Sequence, residues 1–155
     1  MKNTLDEKKE GVLLVANYDS NVGYAWWLME SYWAVIGRLY MPRHETHLCY
    51  PSISTVPPVI DNSDITLHEV DFSPTAKNLL KQCVFIRKHK IRCIYYSDQP
   101  ALKLRYLLYR LLGVKKIVVH DHTPGLRTVP KRLKKAIKNL IMRLPLVCVD
   151  AYIGA

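Results

Sequence analysis

Short apolar runs alternate with helix-length segments along almost the whole chain, and that alternation restricts the fold more than any single motif. Residues 11–17, GVLLVAN, are a continuous apolar run that gives way to turn formers up to Gly23. A run of that length with no polar face reads as a strand of a parallel sheet, covered on both sides. Residues 24–40 read as a helix with almost no polar face, mostly buried, with Trp26, Trp27, Tyr32 and Trp33 filling volume. Residues 45–50 are a second strand. Residues 51–63 are a loop in which Pro57-Pro58 excludes regular structure, and residues 65–72 are a third strand. Ser73 is expected to cap, and Pro74 to open, a helix reaching about His89, with Leu79, Leu80, Val84 and Phe85 on one side. A fourth strand (92–96), a leucine-rich helix (100–112) closed by Gly113 and a fifth strand (116–120) follow. Thr128 and Pro130 open a last helix that Pro145 stops, and residues 146–153 are a sixth strand.

This order predicts an α/β fold: a Rossmann-like three-layer domain with a mostly parallel sheet and helices on both faces. Ligands of such sheets bind beyond the carboxyl ends of the strands. Three loops therefore stand out, residues 19–24, 97–100 and 120–130.

The chain has 155 residues, enough for one domain with a real core. Its first ten, MKNTLDEKKE, are polar and unpatterned and are expected to be flexible, leaving 11–155 as the domain. The net charge of +10 is unevenly placed. Residues 1–76 hold 5 basic and 10 acidic side chains, whereas residues 77–143 hold 18 basic and 2 acidic. Such asymmetry suggests an anionic partner, with a solvated basic surface and no dedicated partner as the alternative. The four cysteines, Cys49, Cys83, Cys93 and Cys148, show no C-x-x-C spacing, so free thiols are expected rather than disulfides or a zinc knuckle. No signal peptide is read at the start, and residues 24–41 carry Glu30 and Arg38, which argues against a membrane span. A cytoplasmic protein is expected.

Among the candidate loops, the first offers Asn21, Gly23 and Tyr24 beside a helix start. It lacks the glycines of G-x-G-x-x-G or of a P-loop, so a dinucleotide or ATP held in the usual way is not expected. Gly23 is either a tight turn or a substrate contact. His120-Asp121-His122 closes the fifth strand. As a metal set it is poor, because adjacent residues of an extended chain point to opposite sides. A hydrogen-bonding or acid–base site and a turn capped by Asp121 remain open alternatives.

The last helix sets Leu133, Ile137, Leu140, Ile141 and Leu144 on one face and Lys131, Arg132, Lys134, Lys135 and Lys138 around it. A basic amphipathic helix suits an anionic membrane surface, each cation contributing about 1 kcal/mol. Ordinary packing on the sheet with lysines in water is the alternative. Nucleic acid is not expected, because the aromatics lie mostly in the acidic half, away from the basic run.

The segments VLLVANYDSNVGYAWWLMES, IRCIYYSD, KKIVVHDHTPGLR and LVCVDAYIGA together resemble the N-terminal half of GT-B fold glycosyltransferases of the retaining family 4 type. The resemblance spans nearly the whole chain. It implies one half of a GT-B fold, the acceptor-side domain of an enzyme moving a sugar from a nucleotide-sugar donor to a sugar or lipid-linked acceptor. His120 would help hold the transferred sugar. Asn21, Gly23, Tyr24, Asp98, Asp121 and His122 would contact substrate, and the basic helix would touch the inner face of the membrane. The donor would be held chiefly by a C-terminal domain or a partner chain that these residues do not supply, so the chain is expected to be inactive alone, with no cofactor and no metal. The other class of function left open is a non-catalytic module that binds anionic membrane or another polyanion through the basic helix.

Overall fold

The computed structural model describes residues 9–41, 43–122 and 146–154. Six strands form one sheet: β1 (Glu10–Val15), β2 (His44–Tyr50), β3 (Ile65–Glu69), β4 (Ile91–Ser97), β5 (Lys116–Asp121) and β6 (Ala151–Gly154). Every pairing between these strands is parallel, in the order β3-β2-β1-β4-β5-β6. This is the doubly wound Rossmann order. The chain works outward from β1 to β3, then returns to place β4 on the other side of β1. The carboxyl ends of β1 and β4 therefore flank the point where the winding reverses.

The helices are α1 (Trp27–Tyr40), α2 (Pro58–Asp61), α3 (Ala76–Lys88) and α4 (Arg105–Leu111), with a 3-10 turn at Gly23–Trp26. Strand alternation distributes β1 between two cores. Leu13 and Val15 join Phe85 and Ile86 of α3 and Tyr106 and Tyr109 of α4. Val12 and Leu14 join Met29 and Trp33 of α1 and Ile60 of α2. Helices thus cover both faces, which is why the strand sequence is apolar throughout rather than alternating. Burying each such aliphatic side chain stabilises by about 1.5–3 kcal/mol.

Several local expectations are corrected. Helix α1 is not mostly buried: Met29, Trp33, Ala34 and Gly37 face the sheet, while Trp27, Leu28 and Tyr32 are about half exposed. One helix packed on one sheet buries one stripe, and apolar residues beyond it have nothing to face. Pro57-Pro58 does not exclude structure, because Pro58 occupies the first turn of α2, where a missing N–H costs nothing. Helix α3 opens two residues later than expected. The Ser73 amide and hydroxyl both bond Asp71, and Thr75 is the cap, its hydroxyl accepting from the Asn78 amide at 3.2 Å. Within α3, Leu80 and Val84 are exposed, and Gln82 and Ile86 are buried instead. Helix α4 is shorter than predicted because residues 101–103 bond the backbone of Val147 and Val149. Gly113 does close it, at φ +103. Strand β6 starts at Ala151, not at residue 146. The predicted basic helix lies outside the described residues.

Candidate functional site

Carboxyl ends of β1, β4 and β5 build the site. The side-chain amide of Asn17, just past β1, donates to the carbonyl of Ser97 and, at 3.3 Å, to that of Asp98. Gln99 donates back to the Asn17 side-chain oxygen at 2.7 Å. The reversal point is thus closed by a side-chain clasp between two loops. Asp98 has φ +49, a left-handed conformation that aspartate tolerates better than most residues. Its carboxylate accepts from the backbone N–H of His122 at 2.6 Å, and its own amide donates to the His120 carbonyl at 2.9 Å. Asp98 therefore fastens β4 to the end of β5.

His120 pairs in register with Ser97 and shares a sheet face with Tyr95, toward α1. Tyr95 Oη lies 2.6 Å from His120 Nδ1, and the Tyr32 ring of α1 stands 6.4 Å from the imidazole. Burial first, then the neighbouring His122, holds the His120 imidazole below its ordinary value, with Asp98 opposing. The neutral ring is favoured and can offer either a donor or an acceptor. The rings of His120 and His122 are 4.0 Å apart between centroids, and Trp26 meets His122 edge-on at 6.0 Å. His122 Nε2 is buried with no hydrogen-bond partner among the described residues.

Asp121 is the exception. It is 6% exposed and accepts from the Tyr152 hydroxyl of β6. Alternation turns it to the face opposite His120, so it fixes β6 against β5 instead of joining His120 and His122.

Asn21, Gly23 and Tyr24 gather separately, around a cavity of about 280 Å³ bounded also by Trp27, Glu30 and Pro57. Gly23 has φ +66 and no neighbour within 4 Å of a would-be Cβ, so its backbone, not a close approach, requires glycine. Asp19 shapes this loop by accepting from the Asn21 amide at 2.8 Å and from the hydroxyls of Ser52 and Ser54. Tyr24 is 87% exposed.

Sequence reasoning missed Glu30 as a functional candidate. It is a buried carboxylate on an apolar helix face, and burial raises its pKa while a 3.3 Å bond from Tyr50 Oη opposes. A lone glutamate among aromatics was the available signal. Asn17 and Tyr95 were also missed, because only the parallel register brings them to His120. The cations Lys131, Arg132, Lys134, Lys135 and Lys138 lie outside the described residues. No helix among the described residues is long and apolar enough to cross a membrane.

No family model matches the chain, and no curated protein matches it. Among solved structures it resembles a glycosyltransferase from Rickettsia africae ESF-5, with a TM-score of 0.51 and 16% identity over 87% of this chain. That likeness is one of fold, an α/β Rossmann-like sheet with helices on both faces. The matched region is 35% of that glycosyltransferase, so this chain spans about a third of its length. A UDP-galactose 4-epimerase overlaps more loosely, with a TM-score of 0.39 and 10% identity over 92% of this chain and 67% of that one.

Proposed function

We propose that this chain is the acceptor-side domain of a GT-B glycosyltransferase of the retaining family 4 type. It acts with a donor-binding domain or partner chain to move a sugar from a nucleotide-sugar to a sugar or lipid-linked acceptor. The carrying observation is His120. It stands at the carboxyl end of β5, its neutral form favoured by burial and its Nδ1 beside Tyr95 Oη, on the face that α1 borders. A neutral imidazole there suits a sugar hydroxyl, which both donates and accepts. In the reaction the acceptor hydroxyl oxygen bonds the anomeric carbon as the nucleoside diphosphate leaves with the electron pair of the broken bond. The acceptor's proton passes to the leaving phosphate or to solvent. His120 and His122 contact the transferred sugar, and the cavity at Asn21, Gly23 and Tyr24 receives the acceptor.

The test is nucleoside diphosphate release dependent on both nucleotide-sugar and acceptor, by this chain joined to or mixed with its donor-binding half. His120→Ala is expected to lower kcat/KM about a hundredfold, the scale of losing one polar contact in a transition state. Full activity in that variant overturns the role of His120.

The concentration of 18 basic residues in residues 77–143 favours a second reading, a module held on anionic membrane. On that reading Lys134→Glu with Lys135→Glu abolishes salt-sensitive binding to anionic vesicles, and His120→Ala leaves it intact.

A further inference from the structure

Three of the six histidines converge far from His120, toward the amino-terminal ends of β1, β2 and β4. Glu45 and His47 are two apart on β2 and so share a face. His68 stands on neighbouring β3, and His89 follows α3 directly before β4. Gly11 of β1 leaves the floor open, since a Cβ there would lie 2.5 Å from the His89 carbonyl oxygen and 3.4 Å from His47 Cδ2. His47 Nδ1 is 3.1 Å from His68 Nε2, and His47 Nε2 is 3.7 Å from a Glu45 carboxylate oxygen. The His89 ring stands 4.5 Å from that of His47, and Phe85 packs against all three imidazoles.

We propose that Glu45, His47 and His89 form a divalent transition-metal site of zinc type, with His68 as the outer partner of His47. One donor atom from each of the three lies within 4.8 Å of the others. A tetrahedral zinc ion with bonds of about 2.0–2.1 Å holds its donors about 3.3 Å apart. The 3.7 Å pair is already close to that spacing, and Glu45 and His89 are partly exposed side chains that can rotate inward. Two imidazoles and a carboxylate are a donor set that zinc prefers over magnesium or calcium. The His47–His68 contact supplies what a ligating imidazole needs. With the Nδ1 proton of His47 donated to His68, the Nε2 lone pair faces Glu45 and His89. Phe85 excludes water from one side. The fourth position faces solvent, so the ion would tie β2 to the turn between α3 and β4. It would act at the sheet edge opposite the proposed sugar site, and it does not depend on that reading.

The full chain, stripped with a chelator, is titrated with Zn²⁺ against a chromophoric indicator, with Co²⁺ as a spectroscopic probe. One Zn²⁺ per chain and a Tm raised by zinc are expected. Glu45→Gln and His89→Gln, both at partly exposed positions and so compatible with folding, are each expected to weaken zinc at least about tenfold. Co²⁺ should give four-coordinate visible bands without thiolate charge transfer. No stoichiometric binding, thiolate bands, or unchanged affinity in the Glu45→Gln/His89→Gln double variant overturns the proposal.

Discussion

Asp98 shows how one residue carries several duties at the candidate site. It sits at φ +49 and its carboxylate accepts from the His122 amide at 2.6 Å. Asparagine keeps both the tolerance of left-handed backbone and a side-chain acceptor, whereas alanine keeps neither. Asp98→Ala is therefore expected to lose about 1–3 kcal/mol and Asp98→Asn less than about 1 kcal/mol, read from urea unfolding. Equal costs for the two would remove the hydrogen bond from the explanation. The same residues mark what a sequence reveals at this scale. His120-Asp121-His122 was visible as a polar cluster ending an apolar run. The opposite outlook of Asp121 followed from strand alternation, but its bond to Tyr152 required knowing that β6 lies beside β5. Asn17 and Tyr95 are 103 and 25 residues from His120 in the sequence and reach its neighbourhood only because β4 pairs in parallel with β1 on one side and β5 on the other.

At the scale of elements, strands were easier to read than helices. A buried parallel strand needs an unbroken apolar run, and β1 is one. Helix limits turned on local competition, as when Asp71 took the Ser73 hydroxyl and left Thr75 as the cap. The inner stripe of α1 was hidden because aromatic residues occupy both its faces. Gly37 is the clearest mark of that stripe. A Cβ there would lie 2.6 Å from Ile65 Cγ1 and 3.0 Å from its Cδ1, so glycine lets α1 seat on β3. Gly37→Ala gains about 1 kcal/mol of helix propensity and meets an overpacking cost of about 1–3 kcal/mol. A net loss is expected in urea unfolding. Ile65→Ala removes the clashing carbon, so the double variant should lose less than the two single losses combined. Strict additivity would show that α1 shifts freely and that the close seating does not matter.

Over the whole molecule, two apolar layers enclose one sheet, and the layers are rich in phenols and thiols whose protonated form burial favours. Burial raises the phenols of Tyr18, Tyr50, Tyr95, Tyr96, Tyr106 and Tyr109 above their ordinary value of 10.0, Tyr95 and Tyr106 to about 12. It likewise raises the thiols of Cys49, Cys83, Cys93 and Cys148 above 9.0. A group whose folded pKa is raised contributes stability that is complete below its unfolded pKa and is lost as pH rises through the folded one. Lys103 acts in the opposite sense. Burial brings it down to about 8, so between there and its ordinary 10.5 the unfolded chain holds the extra proton and stability rises with pH. One lysine stands against ten buried or half-buried acids, so the acids decide the sign. Stability should fall steeply above about pH 9, with unfolding releasing protons, because linkage ties the slope to that proton difference. Urea midpoints at pH 8 and pH 10.5, with proton release measured in the same range, test this. The phenolate absorbance of these six tyrosines should rise together with loss of structure. A flat midpoint with no net proton release would mean that the tyrosine layer is open to solvent, and the two-core description of the fold would then fail.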